Sequence, residues 1–330
     1  MKALVYTDHE TLVYRDEKDA IAREGEELIK VDAAGICGSD MHAYHGLDER
    51  RIPPLILGHE ISGINQTNNT PVVINPLITC KHCGYCLNGR EHICTNRGLL
   101  GMTKPVKRPG GFADFVAIPS SNIISVPKNL NLQQAALTEP TAVALHAIKI
   151  AARHSFTDIN KSNILIIGGG AIGLLIALIL ATRGVNKITI LDTNYKRLKV
   201  CQKASSSSIA RPDDKNIKSN NYEIIFDAVG LEKTHNKSIE CIKQGGIIIH
   251  IGLGQATGEF DFRKTTLQEI IFVGTYAYTN NEFKQSLDMI IKEELGNLSW
   301  LDYRPLRDGA SAFREIHEGT MSAPKIILIP

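Results

Sequence analysis

From Asn163 onward the chain alternates apolar, β-branched runs with helical patterns, and this alternation restricts the fold more than any other feature. The apolar runs are residues 164–167, 188–191, 223–226, 247–251 and 270–273. Strands separated by helices form βαβ units, in which neighbouring strands are parallel. Helices cover both faces of a parallel sheet, so its strands are almost continuously apolar, as these runs are. The sequence therefore predicts an α/β fold with a doubly wound parallel sheet.

A glycine-rich turn follows the first of these strands. Residues 168–173, Gly-Gly-Gly-Ala-Ile-Gly, fit the pattern G-x-G-x-x-G between a strand and a helix predicted over about 171–182. In this pattern the first glycine forms the tight turn, the second admits a pyrophosphate, and the third allows close packing of helix on strand. The helix N-terminus then faces the phosphates, although other α/β proteins also contain glycine turns. We expect dinucleotide contacts from Gly168, Gly170, Ile172 and Gly173.

Asp192 indicates which dinucleotide is bound. It lies nineteen positions after Gly173, at the end of the next predicted strand. A carboxylate there accepts hydrogen bonds from the adenosine ribose and repels a 2′-phosphate, which favours NAD over NADP. Lys196 and Arg197 are evidence for the opposite preference, since basic side chains there could hold a phosphate. Arg197 is therefore also a predicted cofactor-binding residue.

Four of the seven cysteines form a compact motif, Cys-x2-Cys-x2-Cys-x7-Cys, made of Cys80, Cys83, Cys86 and Cys94. The odd total and the absence of a secretory signal favour metal binding over disulfides. Four thiolates bind zinc in a closed tetrahedron that leaves no position for a substrate. We predict a structural zinc loop over residues 80–94. A redox-active dithiol is the alternative.

A second group of metal-binding residue types is scattered along the chain. Cys37 lies in Gly-Ile-Cys-Gly-Ser-Asp-Met-His, His59 and Glu60 lie in Gly-His-Glu, and Glu139 precedes Pro140. One thiolate, one imidazole and one carboxylate hold zinc and leave a fourth position open for an alcohol oxygen. Singly, such a cysteine or histidine is more often a buried core residue. Their joint occurrence with a zinc loop and a dinucleotide motif favours a catalytic zinc site.

Two carboxylates compete for this predicted zinc. Side chains adjacent on a strand point to opposite faces, so His59 and Glu60 reach one metal only if the turn after Gly58 bends the chain. Glu139 lies near the predicted domain junction, where a zinc in a cleft is expected. We expect Glu139 to be a ligand or a water-bridged neighbour, with Glu60 alternating with water during turnover.

These motifs resemble, in the same order and over essentially the full chain, the zinc-containing alcohol dehydrogenases of the medium-chain dehydrogenase family. The Glu139-Pro140 pair is similar to the sorbitol dehydrogenase branch, where a glutamate replaces the third cysteine ligand. The resemblance implies a mainly β, GroES-like catalytic domain formed by residues 1–142 and 291–330. It also implies an inserted Rossmann domain over residues 143–290, with the active site in the cleft between them.

The resemblance further implies reversible hydride transfer from a secondary alcohol, such as a polyol, a sugar alcohol or a derivative, to NAD. Cys37, His59 and Glu60 would act through the zinc, and the alcohol proton would leave through Ser39 and the nicotinamide ribose to His42. Two departures make a sorbitol-like substrate less expected. Ala277 stands where polyol dehydrogenases usually have an arginine, and Ala43 stands where a tyrosine often lines the pocket. A simple alcohol or a sugar acid is the alternative substrate.

Composition argues against other partners. Lys plus Arg number 37 and Asp plus Glu 35, without a block of like charge, which disfavours nucleic-acid and membrane-surface binding. Acidic residues come too early for a signal peptide, so we expect a cytoplasmic protein. The apolar run 164–181 is long enough to suggest a membrane span, but its glycines favour a strand, a turn and a helix. The small-molecule alcohol is then the expected partner.

Two rival classes remain. A zinc-ribbon nucleic-acid module predicts a basic face and stacking aromatic residues, yet aromatic residues make up only 6% of the chain. A non-catalytic dinucleotide-binding zinc protein gives no reason for Cys37, Ser39, His59 and Glu139 to occur together.

The predicted strand over 269–275 bears on assembly. It is apolar and should lie at one edge of the parallel sheet, where unprotected strands tend to find partners. The family resemblance implies that two such edges pair, which gives a homodimer or a homotetramer built from dimers.

Overall fold

The computed structural model describes residues 1–330 as two regions, one built on a parallel sheet and one mainly of antiparallel strands. The strands are β1 (Lys2–Asp8), β2 (Thr11–Asp16), β3 (Glu26–Gly35), β4 (Leu55–Ile56), β5 (Glu60–Asn65), β6 (Pro71–Ile74), β7 (Leu77–Ile78), β8 (Gly98–Leu99), β9 (Phe115–Pro119), β10 (Ile123–Ser125), β11 (Ile164–Ile167), β12 (Ile188–Leu191), β13 (Ser208–Ala210), β14 (Tyr222–Asp227), β15 (Ile242–His250), β16 (Ile271–Gly274), β17 (Leu301–Pro305) and β18 (Lys325–Ile329). The α-helices are α1 (Gly38–Tyr44), α2 (Gly84–Leu87), α3 (Leu132–Ala135), α4 (Thr138–His154), α5 (Ala171–Thr182), α6 (Tyr195–Ser205), α7 (Glu232–Cys241), α8 (Phe262–Leu267), α9 (Asn280–Ile291) and α10 (Gly309–His317).

The six-stranded parallel sheet has the order β13-β12-β11-β14-β15-β16. In sequence order this is 3-2-1-4-5-6, the arrangement of the doubly wound Rossmann fold. All four residues of β11 are buried, as expected of a strand covered on both faces. The predicted parallel sheet is therefore confirmed, and β16 lies at its edge as the sequence indicated.

The apolar run 164–181 is divided between β11 and the buried helix α5, with the glycine turn between them. None of the helices combines the length and the apolar character that a membrane crossing requires.

The second region is organised around β3, which is central in a seven-stranded sheet of order β10-β6-β5-β3-β18-β17, with β9 also paired to β3. The last strand, β18, is antiparallel to β3, and β17 is parallel to β18. The chain's end thus returns to the sheet that its beginning forms. Strand β17 is not marked by an apolar run, because exposed Tyr303 and Pro305 alternate with charged, half-buried Asp302 and Arg304.

Helix α4 begins at Thr138, two residues before Pro140, so Pro140 and Glu139 both lie in its first turn. A proline is tolerated there because the first backbone N–H groups of a helix have no partner within it. The serine run 205–208 is not a loop throughout. Helix α6 extends to Ser205, whose hydroxyl donates to the carbonyl oxygen of Cys201, and β13 begins at Ser208.

The glycine turn offers a matched test of packing. A Cβ atom on Gly173 would lie 1.9 Å from the carbonyl oxygen of Gly168, whereas one on Gly170 would meet no atom within 4 Å. Gly173→Ala should therefore lower the free energy of unfolding by about 3 kcal/mol or more, because backbone cannot yield as a side chain does. Gly170→Ala is the control and should melt like the unmodified protein. Equal melting curves for the two variants would contradict the close approach of α5 to β11.

Candidate active site and metal centres

The four-cysteine motif forms a compact thiol cluster. Its sulfur–sulfur distances are 3.4 Å for Cys80–Cys94, 3.5 Å for Cys83–Cys86, 3.8 Å for Cys83–Cys94 and 3.9 Å for Cys80–Cys86. A tetrahedral zinc with bonds of 2.3 Å places its sulfurs about 3.8 Å apart. Backbone N–H groups of Cys83 and Cys80 donate to the sulfurs of Cys80 and Cys94, which favours thiolates. The cluster fits a four-coordinate zinc.

A second group contains Cys37, His59 and Glu60, whose ligand atoms all lie within 4.8 Å of one another. Cys37 caps the N-terminus of α1 directly after β3, and Glu60 is the first residue of β5. His59 precedes that strand and follows Gly58, whose φ is 93°. The turn at Gly58 thus lets adjacent side chains reach one point, the condition that the sequence left open.

Gly35 makes room for the Glu60 carboxylate. The two residues are paired across β3 and β5, and a Cβ atom on Gly35 would lie 1.9 Å from Oε2 of Glu60. Any side chain at this position would displace the carboxylate. Gly35, the first residue of the Cys37 motif, is therefore required by the group itself.

Buried charge around His59 suits a cation. Asp40 Oδ1 lies 3.5 Å from His59 Nδ1, and Asp40 Oδ2 accepts a hydrogen bond from the backbone N–H of Cys37. Burial by itself lowers the pKa of His59, but the charges of Asp40 and Cys37 raise that pKa well above its ordinary value. The group thus attracts positive charge, and a zinc ion would satisfy it in place of a proton.

Lys325 is a site residue that sequence analysis missed. Its ammonium donates to both carboxylate oxygens of Glu60, at 2.6 and 2.7 Å, and to the carbonyl oxygen of Ile36. Lys325 and Glu60 are both buried. A lysine before an apolar terminal strand was the available signal, but its partner is 265 positions away.

Glu139 lies beside this group and is not one of the three residues whose ligand atoms lie within 4.8 Å of one another. It is buried in the same cleft as His59 and Tyr278. Burial, together with the nearby Glu60 charge, raises the pKa of the Glu139 carboxyl to about 7. The buried Tyr278 hydroxyl interacts with the Glu139 carboxyl and partly offsets this rise in its pKa.

Ser39 and His42 lie three positions apart on α1 and therefore share one face of the helix. Both line the cleft. The buried guanidinium of Arg51 donates to Ser39 Oγ and to the Ser39 carbonyl oxygen, both at 3.2 Å. Since Oγ accepts from Arg51, its own hydrogen is free to be donated. Burial lowers the pKa of His42, which keeps its ring able to accept a proton.

The glycine turn is tied to Asp192. Its Oδ2 accepts from the Gly169 N–H and its Oδ1 from the Asn194 N–H, each at 2.7 Å. The Arg197 guanidinium lies 3.7 Å from Asp192 and also donates to the carbonyl oxygen of Met321. Cys201, buried beneath the turn, donates to the Gly169 carbonyl oxygen and is thus a packing residue.

Two neighbouring cavities meet at this place. A cavity of about 280 Å³ is lined by Ser39, His42, His59 and Glu139, and one of about 240 Å³ by Glu60, Gly170 and Arg197. Cys37 and Ile172 line both cavities. The metal-binding group and the glycine turn therefore open into one continuous region, as in a nucleotide-dependent metalloenzyme.

Comparison with known families agrees with this class. Residues 23–128 match the alcohol dehydrogenase GroES-like domain, and residues 171–292 match the zinc-binding dehydrogenase family. The two matches together cover more than half of the chain. The chain belongs to the zinc-containing alcohol dehydrogenase family, in its medium-chain branch, and is an oxidoreductase with zinc and NAD as its cofactors.

Individual relatives have polyol and sugar-acid names. L-Galactonate-5-dehydrogenase of Escherichia coli is 26% identical over 86% of this chain and 85% of its own length. (R,R)-Butanediol dehydrogenase of Saccharomyces cerevisiae is 26% identical over 100% of this chain and 98% of its own length. The crystal structure of L-idonate 5-dehydrogenase from Escherichia coli superposes with a TM-score of 0.87 and 26% identity, over 100% of this chain and 98% of that one.

The two metal-binding groups should respond differently to substitution. Cys83→Ser should lower the melting temperature by about 5 °C or more, because metal binding at a closed site is coupled to folding. Cys37→Ser should leave the melting temperature nearly unchanged and abolish turnover. Calorimetry and an NAD-reduction assay distinguish the two effects. Equal losses of melting temperature in both variants would contradict the structural and catalytic assignments.

Proposed function

We propose that this protein oxidises a secondary hydroxyl group of a polyol, sugar alcohol or sugar acid, with NAD as the hydride acceptor. The observation that supports this most directly is the shared lining of two cavities. Cys37 and Ile172 each contact both the region beside the glycine turn and the region beside His59. A nicotinamide and an alcohol held in the two regions would lie next to each other.

We assign Cys37, His59 and Glu60 as the ligands of the catalytic zinc. Bound there, zinc would supply a Lewis acid for the alcohol oxygen, and NAD would supply the hydride acceptor. The Asp40 carboxylate at His59 Nδ1 would fix the ring so that its other nitrogen faces the ion. Cys80, Cys83, Cys86 and Cys94 are assigned to the structural zinc.

Ser39 and His42 would transfer the alcohol proton towards solvent. The Ser39 hydroxyl, held by Arg51, can pass a proton on because its oxygen is already oriented as an acceptor. His42, half-buried one helical turn further, can receive it through the ribose hydroxyl of a bound dinucleotide. These residues would also exclude bulk water from the reacting atoms.

A polyhydroxylated or acidic substrate suits the polar side of the cleft. Arg50 and Arg51 both line it and share one carboxylate partner, Asp48. Apolar residues also line the cleft, among them Ala277, which stands where the resemblance to polyol dehydrogenases leads one to expect an arginine. Sugar-acid names among the relatives, such as L-idonate 5-dehydrogenase, agree with this distribution of charge.

An NAD-reduction screen over polyols, sugar acids, sugar alcohol phosphates and simple secondary alcohols tests the proposal. We expect turnover with at least one polyhydroxylated substrate, and loss of it in Cys37→Ser with dinucleotide binding retained. NADH binding without turnover on the whole panel would favour the non-catalytic alternative. Turnover confined to simple alcohols would contradict the proposed substrate class and favour the simple-alcohol alternative.

Asp192 should determine the cofactor preference. We expect the unmodified enzyme to prefer NAD, since Asp192 repels a 2′-phosphate and holds the Arg197 side chain nearby. Asp192→Asn keeps an acceptor for the Gly169 N–H but removes the charge. The ratio of kcat/KM with NAD to kcat/KM with NADP should therefore fall by about tenfold or more, because repulsion between charges about 4 Å apart exceeds 1 kcal/mol near a protein surface. A preference for NADP in the unmodified enzyme would contradict this role.

Glu60 and Glu139 should differ in their effect on zinc content. Glu60→Gln should contain one zinc ion per chain fewer than the unmodified protein after dialysis, whereas Glu139→Gln, a change at a water-bridged neighbour, should weaken catalytic-zinc affinity about tenfold. Lys325→Met is the control. It removes the ammonium partner of Glu60 but leaves the carboxylate, so the catalytic zinc should be retained. The assignment fails if Glu139→Gln loses the ion and Glu60→Gln keeps it.

Assembly and location complete the proposal. Phe272 on the edge strand β16 is 40% exposed, which supports pairing of two such edges into a homodimer or homotetramer. Sedimentation should therefore give at least twice the chain mass of 36.2 kDa, and a single-chain mass would contradict the prediction.

The thiolates required at both zinc sites suit a reducing compartment such as the cytoplasm. We also propose domain bounds of 1–142, 143–290 and 291–330.

A further inference from the structure

A third group of metal-binding side chains lies in the parallel-sheet region. Asp227 ends β14, His250 ends β15, and the two residues are paired neighbours across these strands. His235 lies in the first turns of α7, which follows β14. The ligand atoms of the three side chains all lie within 4.8 Å of one another. The group is separate from Cys37, His59 and Glu60 and from the thiol cluster.

Two of these ligand atoms have no partner within the protein. His235 Nε2 and His250 Nδ1 are both buried and make no hydrogen bond. Leaving a buried polar nitrogen unpaired costs about 1–3 kcal/mol, so a native structure rarely contains two such atoms side by side. One ligand shared by the two rings would satisfy both nitrogens.

Asp227 provides the negative charge of the group. Its carboxylate is fully buried, and Oδ2 lies 3.8 Å from His235 Nε2. Oδ1 accepts from the backbone N–H groups of Val229 and Gly230, and Oδ2 accepts from the Thr234 hydroxyl, so the carboxylate is held in place. Neither lysine nor arginine forms an ion pair with it. A buried carboxylate without a charged partner favours a cation.

We propose that Asp227, His235 and His250 bind a third divalent transition-metal ion, and that the ion bound in the cell is zinc. Two imidazoles and one carboxylate are a set that zinc and related ions accept with water in the remaining position. Ligand atoms of a tetrahedral site lie about 3.4 Å apart, so the three side chains would have to draw closer together around a bound ion.

Such an ion would stabilise one wall of the active-site cleft. The segments after β14 and β15, with Val229 and Gly252 at their centres, line the cleft beside His59 and Glu139. The Gly254 N–H donates to the Val229 carbonyl oxygen and so joins the two segments. An ion at the ends of the same two strands would hold them at a fixed separation without contacting the substrate.

Metal counting on the holoenzyme tests this proposal. After equilibrium dialysis against micromolar zinc, the unmodified protein should contain three zinc ions per chain, and His235→Gln and His250→Gln should each contain two. The matched control is His317→Gln. His317 belongs to an exposed group with Glu10 and His45, and its Nδ1 is already hydrogen-bonded to His45 Nε2 at 2.9 Å. This control should keep three ions.

A second measurement identifies the ligands independently of how well the variants fold. Cobalt added to the two-zinc holoenzyme should give visible d–d bands without the thiolate charge-transfer bands that either cysteine-containing site would produce. The added ion should also raise the melting temperature, because it binds only the folded chain. A count of two ions in the unmodified protein, or loss of the third ion in His317→Gln instead of His235→Gln and His250→Gln, would overturn the proposal.

Discussion

The buried ion pair between Lys325 and Glu60 fixes the relation between the end of the chain and the metal-binding group. A buried charge costs several kcal/mol to desolvate, and removing one partner of such a pair costs about 3–5 kcal/mol. Lys325 begins β18, and the same strand is antiparallel to β3, which leads into Cys37. The pair therefore requires β18 to keep its place, and it also offsets negative charge where a carboxylate and a thiolate converge.

The cleft follows from this placement. Cys37, Ser39 and His42 come from the end of β3 and from α1, while the glycine turn comes from the carboxyl end of β11. Ligands of open α/β sheets bind beyond the carboxyl ends of the strands, at the point where strand order reverses. The return of β18 to β3 closes the antiparallel region, whose metal-binding group lies against this point of the parallel-sheet region.

Much of this arrangement was predictable because it depends on local patterns. The glycine spacing at 168–173 specifies a close approach of α5 to β11, and the clash that a Cβ on Gly173 would cause with Gly168 gives the physical reason. The cysteine spacing at 80–94 similarly brings four sulfurs within tetrahedral reach. Strand β17 could not be predicted in this way. Its residues match neither the continuous apolar run of a buried strand nor the spacing of a helix, because exposed residues alternate with half-buried ones.

The sequence by itself determined the fold class, the glycine turn and the thiol cluster, since each depends on residues close together in the chain, and short motifs identified the scattered candidate ligands one by one. Tertiary structure alone decided which distant groups meet. In the folded chain Glu60 pairs with Lys325, and Arg51 donates to Ser39. Glu139 lies beside Tyr278, outside the compact metal-binding group. Tertiary structure also aligned Asp227 with His250. Spacing along a chain cannot specify such contacts, because they depend on strand register and on turns such as that at Gly58, which are fixed only when the whole core packs.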